Sequence, residues 1–246
     1  MTALMSRGLA PWEWTFGLVR YSSSGEIVDT VRAPVWDFEP DVVRASGEHS
    51  QSMRRVPFTP QSHWSFSSLG YMVGGVSTDY RVDLYRPDGS VLRVERAWEP
   101  VPVQSAEADE RRRSITLGLQ RQYGSWRWNG PDVPDMKPPF KGLFTSADGD
   151  VWVQRHTGGA PRMTVEEARR EEDVSGRPVM RYQEPPAFDV FDADGRFLGP
   201  VRVPATLAVE PEPVVRGGYV WAVTRDELDV ASVVRFRLVV PGLAGR

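Results

Sequence analysis

Three stretches of this chain repeat one layout. "FGLVRYSSSGEIVDTVRAP" (16–34), "YRVDLYRPDGSVLRVERAW" (80–98) and "FDVFDADGRFLGPVRVP" (188–204) each join two alternating apolar–polar runs through a short turn ending in glycine. Alternation with period two puts successive side chains on opposite faces of a strand, and glycine reaches the positive φ that tight hairpins need. A second hairpin pattern precedes these units: "HWSFSSLGYMVGGVS" (63–77), "FKGLFTSADGDVWVQRH" (140–156) and "LAVEPEPVVRGGYVWAVTR" (207–225). Their turns fall at Leu69-Gly70, Asp148-Gly149 and Gly217-Gly218. The run "SVVRFRLVV" (232–240) adds one last strand.

Pairing these hairpins in order gives four-stranded antiparallel meanders, about 13 strands in all. The expected fold class is all-β, a β-propeller-like array with about 3 to 4 blades and short helices in inserted loops. The blade units are 14–33, 62–98, 141–203 and 207–240, with insertions 99–140 and 156–186, behind an N-terminal extension 1–13. In a meander, alternate turns lie at the same end of the sheet. The tight turns all occupy one parity and the long connections 34–61, 99–140 and 156–186 the other, so the long segments should share a face. Faces that collect long loops are where scaffolds bind. "SAEADERRRSITLGLQRQY" (105–123) opens on a capping Ser105 and spaces Ile115, Leu119 and Tyr123 for one helix face. "TVEEARREED" (164–173) carries a Thr164–Glu167 capping box but little apolar face, so a short solvated helix is expected.

Composition narrows the partners. Net charge is −3 and the run Arg111–Arg113 is flanked by acids, which argues against nucleic acid, since phosphate binding needs a concentrated positive face. Only Lys137 and Lys141 among the 30 basic residues are lysines, a scarcity that reads as codon bias. With no cysteine, disulfides, thiolate catalysis and Cys-ligated metals are excluded. The start "MTALMSRGLAPWEW" lacks the apolar region of a secretory signal, and no stretch approaches a membrane span. The expectation is a cytoplasmic protein, or an extracytoplasmic one if the true N-terminus lies upstream.

The stretch from "VPFTPQSHW" through "STDYRVDLYRPDGSVLRVERAWEPVPVQSAEAD" resembles the six-bladed β-propeller family, NHL-like proteins common in bacterial genomes. Its Pro-Phe-x-Pro lead, Trp strand, "DYRV" strand, "PDG" hairpin and "PVPV" exit into a helix carry the resemblance. "DVFDADGRFLGPVRVP" and "GGYVWAVTRDELDVASVVRFRLV" are similar to the family's last segments. The resemblance spans roughly residues 14–240 and matches a C-terminal half, because a six-bladed ring needs about 24 strands. It implies either a fragment with a truncated start or a ring completed by self-association, which would cover an open sheet edge.

Candidate chemistry is sparse. In "FDADG", Asp192 and Asp194 before Gly195 sit like the start of a calcium loop, but no terminal carboxylate follows. Asp and Gly are what a tight turn requires, so the reading is a hairpin corner. His49, His63 and His156 show no metal-ligand spacing, and G-x-S-x-G does not occur. "STDYR", with Asp79, Tyr80 and Arg81, and "TRDELD", with Arg225, Asp226 and Glu227, fall in equivalent long-face connections and are candidate contacts or simply solvated turns. Trp126 and Trp128, with Tyr123, form an aromatic group that either offers a ligand platform or pins the insertion onto the domain.

The expected function is a non-catalytic binding module recognising a protein or ligand through its long-loop face, with no cofactor and no metal. One alternative is a calcium-dependent propeller hydrolase or lactonase, in which Asp79, Asp226 and Glu227 would supply oxygen ligands. A gene fragment without independent activity is the other.

Overall fold

The computed structural model describes residues 2–6, 14–204, 206–226 and 230–239. Among the described residues strands hold 41% and helices 14%, an all-β architecture with two inserted helices. In chain order, β1 (Thr2–Ser6), β2 (Thr15–Tyr21) and β3 (Ile27–Arg32) form one sheet, and β4 (Val42–Ser46) with β5 (Gln51–Arg55) a separate ribbon. Next comes a meander of β6 (Ser62–Phe66), β7 (Met72–Val76), β8 (Arg81–Tyr85) and β9 (Val91–Glu95). The first long insertion holds β10 (Val101–Pro102), α1 (Ser105–Tyr123) and β11 (Met136–Lys137). A second four-stranded sheet begins with β12 (Phe140–Thr145) and β13 (Val151–Arg155). It is interrupted by β14 (Ala160–Pro161), α2 (Val165–Ser175) and β15 (Tyr182–Gln183), and finishes with β16 (Ala187–Phe191) and β17 (Phe197–Arg202). Lastly, β18 (Val214–Arg216), β19 (Tyr219–Arg225) and β20 (Ala231–Arg237) make a three-stranded sheet. All pairings are antiparallel.

Period two decides how the sheets stack. On β13, Val151 and Val153 enter a core shared with Tyr71, Val73, Val82 and Leu84 of the preceding meander. Trp152, between them, enters a second core with Val215, Val220 and Ala222 of the last sheet. The β12–β17 sheet is therefore buried on both faces. Trp152 stacks on Phe144 (5.6 Å, 20°) and meets Phe188 edge-on at 5.6 Å. Full burial of such side chains contributes about 1.5–3 kcal/mol each. On the far side of the β6–β9 meander, Phe16 packs on Trp64 at 5.7 Å. Trp36 lies so close over β7 that a Cβ on Gly74 would come 2.6 Å from its ring, which is why glycine stands there. Four sheets thus follow one another in chain order, each against the next. No closed ring of blades is identified among the described residues.

The two ends of the stack differ as strand parity requires. Tight turns bind tight turns: Ser68 Oγ donates to Ala147 O at 2.9 Å, Tyr71 Oη to Gly149 O, and Arg86 Nη2 to Ala193 O at 2.9 Å. Gly217 N donates to Asp148 Oδ2 at 2.6 Å. At the opposite end the long connections bind one another. Trp126 Nε1 donates to Arg44 O at 2.8 Å, Tyr123 Oη to Ser52 Oγ at 2.8 Å, and Tyr182 N to Glu110 Oε1 at 3.0 Å. Arg113 holds Glu172 through two bonds of 2.7 and 2.8 Å.

Three local expectations are revised. Connection 34–61 is not plain loop but carries the β4–β5 hairpin, and residues 2–6 pair along β2 from Thr2↔Val19 to Ser6↔Thr15. Helix α1 is capped by Gln104 in an extended conformation, not by Ser105, and the Gln104 amide reaches across to Gly159 O at 2.7 Å. Helix α2 does start with the Thr164–Glu167 box, and Ala168 is its one buried residue. The Asp192 corner is a turn: its Oδ1 accepts from Asp194 N (3.0 Å) and Arg196 N (2.8 Å).

Candidate functional site

The long-connection end of the stack opens into a cavity of about 630 Å³ where the second and third sheets meet. Its charged centre is built by an acid inside a strand. Asp189 sits in "AFDVF" on β16, and its neighbours Phe188 and Val190 turn into the core behind. Alternation therefore aims Asp189 at the preceding sheet, where it is fully buried. Tyr80, from the β7–β8 connection, donates its hydroxyl to Asp189 Oδ2 at 2.7 Å. Arg96, just beyond β9, pairs with the same oxygen, and Arg155 Nε, at the end of β13, lies 3.2 Å from Oδ1.

Local packing fixes these groups. Tyr80 is held edge-on by Phe140 (6.1 Å) and Phe191 (6.4 Å). Burial, then the charge of Asp189, push the Tyr80 hydroxyl above its ordinary pKa, so it stays a proton donor. The Arg96 guanidinium lies 4.0 Å over the Phe197 ring. The remaining cavity wall includes Trp98, Pro100, Pro138 and Pro139, which are apolar and stiff.

Behind this wall lies a buried ionic cluster. Lys137 Nζ donates to Glu107 Oε1 (2.8 Å), Glu184 Oε1 (3.0 Å) and Thr157 O (3.0 Å). Glu184 also receives Lys141 Nζ at 2.6 Å and Thr157 N at 3.2 Å, and sits 3.0 Å from His156 Nδ1. Burial alone would raise Glu184, but His156 and Lys141 outweigh it and hold the carboxyl well below the usual range. The cluster joins α1, β11 and the segments on either side of α2, so it fixes how the insertions sit around the cavity. His156 touches both the cluster and the cavity.

Of the residues singled out in the sequence, Tyr80 lines this cavity, and Asp79, Tyr80 and Arg81 line an adjoining hollow of about 480 Å³ with Arg96 and Trp98. Trp126 and Trp128 form a separate edge-on pair at 6.4 Å. They pack with Val133 and Tyr123 against the Val43–Val56–Leu119 core. Their indole N–H groups are committed, Trp126 to Arg44 O and Trp128 to Pro131 O, both at 2.8 Å. Here the aromatics staple the insertion down. Arg225 ends β19, and Asp226 Oδ1 accepts from Val230 N at 2.9 Å within the β19–β20 connection. Glu227 lies outside the described residues. Sequence reasoning missed Asp189, Arg96 and Arg155. Asp189 was detectable as a lone acid inside an apolar strand run; the arginines resemble any strand-end charge.

Among the described residues, no three His, Asp or Glu side chains converge as a metal site. No helix among them is long and apolar enough to cross a membrane. Compared with known proteins, the chain matches no family model, no curated protein and no solved structure.

Proposed function

We propose that this chain is a non-catalytic binding module of the β-propeller type, recognising a protein or small ligand through its long-connection face. The observation that carries this is the Tyr80–Asp189–Arg96–Arg155 centre, which opens into a cavity walled by segments from that face. Its polar groups suit recognition. Tyr80 is occupied in donating to Asp189, and the two guanidiniums offer N–H donors and no acceptor. The propeller part of the reading is supported by two four-stranded meanders stacked against each other and by the resemblance of 14–240.

A cavity-blocking variant tests it. Gly158 lines the cavity, and a Cβ there would meet nothing within 4 Å. Gly158→Phe should therefore fill the opening without disturbing the core. A library of neutral and charged small molecules screened by thermal shift should yield ligands whose effect disappears in this variant. Ligands that stabilise both proteins equally would place recognition elsewhere. Calcium-dependent lactone or phosphotriester hydrolysis, lost in Asp79→Ala or Asp226→Ala, would overturn the non-enzyme half.

A further inference from the structure

We infer that the cavity takes the carboxylate of a small amphipathic organic acid, seated between Arg96 and Arg155 with its apolar body on the Trp98–proline wall. This rests on the binding-module reading and adds the ligand's chemistry.

Charge comes first. Asp189 is one buried carboxylate facing two guanidiniums, which leaves one positive charge in surplus at the cavity. Glu99 also lines the opening, but it is exposed and its field is screened by solvent. A single surplus charge matches a monoanion. A phosphate dianion would bring a second negative charge toward Asp189 without a second cation to meet it.

Donor count points the same way. Asp189 uses Arg96 Nη1 and the Nε edge of Arg155. Arg96 Nε and Nη2, and both terminal nitrogens of Arg155, have no acceptor among the described residues, and the two side chains are 34% and 35% exposed at the cavity. Arg155 Nε and Asp189 Oδ1 are sealed from solvent yet not aligned as a hydrogen bond, so the buried centre is incompletely satisfied as it stands. Planar guanidinium forks with open donors suit a carboxylate, which accepts two parallel N–H bonds.

Preorganisation and size complete the argument. Arg96 is held on the Phe197 ring, and Tyr80 fixes the carboxylate between the arginines. Little side-chain freedom is then lost on binding. A cavity of about 630 Å³ lies within the range of small-molecule sites, and its Trp and Pro wall would shield an apolar body.

The test uses benzoate, 4-phenylbutyrate and octanoate, their uncharged amides, and inorganic phosphate, titrated calorimetrically into the full chain. At least one acid should bind, with its amide weaker by about tenfold or more, as expected for loss of a charge-assisted pair. Phosphate should not compete. Arg155→Gln should weaken the acid by a similar factor. Arg155→Lys, which keeps the charge and loses the fork, should fall between, with the thermal unfolding midpoint confirming that both variants fold. Acids and amides binding alike, and both lost in Gly158→Phe, would overturn the carboxylate inference and leave the binding module standing. Phosphate outcompeting every acid would overturn it too. If no acid binds and no library compound is sensitive to Gly158→Phe, both readings fall.

Discussion

Lys137 Nζ and Glu107 Oε1 lie 2.8 Å apart with neither side chain exposed to solvent. Burying two charges costs several kcal/mol per ion before their attraction is counted, so such a pair persists only where further bonds satisfy it. Here Lys137 spends its three donors on Glu107, Glu184 and Thr157 O. An ammonium supplies three donors from one point, whereas a planar guanidinium spreads its donors over a fork. Glu107 Oε2 remains without a partner. The geometry is more useful as a positional lock among α1, β11 and the loop at 157–159 than as a source of net stability.

Removing one partner should therefore be costly and removing both less so. Lys137→Met strands Glu107 in the interior and should destabilise the protein by about 3–5 kcal/mol in denaturant unfolding. Glu184 keeps Lys141, His156 and Thr157 N. The double variant Lys137→Met with Glu107→Leu should recover a substantial part of the loss. Additive or greater destabilisation in the double variant would show that the charges stabilise the fold outright.

Adjacent glycines should respond differently. A Cβ on Gly159 would lie 2.5 Å from Glu107 Oε1 and 2.6 Å from its Cδ, whereas one on Gly158 meets nothing. Gly159→Ala must push the carboxylate off Lys137 and should destabilise by about 1–3 kcal/mol. Gly158→Ala should stay within about 0.5 kcal/mol of the parent. Equal effects at the two positions would mean that the loop is free to relax.

Trp126 should act on stability and not on the cavity. It is half-buried against the Val43–Leu119 core and its indole donates to Arg44 O. Trp126→Ala should cost about 2 kcal/mol, below the range for a fully buried Trp, and Trp126→Phe roughly 1 kcal/mol for the lost hydrogen bond. Acid binding at Arg155 should not change. Lost binding with intact stability would restore the ligand-platform reading.

The meanders were legible because apolar and polar residues alternate along their strands and each tight turn carries glycine, as in "YRVDLYRPDGSVLRV", even though packing buries consecutive residues on β8 and β16. The β4–β5 hairpin was not: the adjacent valines Val42 and Val43 interrupt the apolar–polar alternation, and "QSMRR" has no apolar face. Ribbons of two residues such as β10–β11 and β14–β15 leave no period to read. The ionic cluster draws Glu107, Lys137 and Glu184 from distant segments, each resembling an ordinary surface charge. One signal did exist. In a chain whose other basic residues are all arginine, both lysines converge on Glu184, so their placement was informative where their scarcity suggested only codon bias.

Acid should weaken the fold partly through His63. Burial, then the charges of Arg55 and His156, lower its pKa from 6.5 to about 4. The unfolded chain takes up this proton as pH falls below 6.5, while the folded chain refuses it until about 4. Unfolded molecules thus bind more protons across that window, and stability declines with falling pH. At 1.36 kcal/mol per pKa unit, the full loss is about 3 kcal/mol, complete near pH 4 and absent at pH 7.5. Glu184, held low in the folded state, adds a loss in the same direction at lower pH. His63→Gln separates the two, since it removes only the first. Unfolding free energies of parent and variant, measured by denaturant from pH 7.5 to 4, should show the parent losing about 3 kcal/mol relative to the variant. Parallel curves would mean that His63 titrates alike in both states, with its ring open to water and not held neutral beside Phe140.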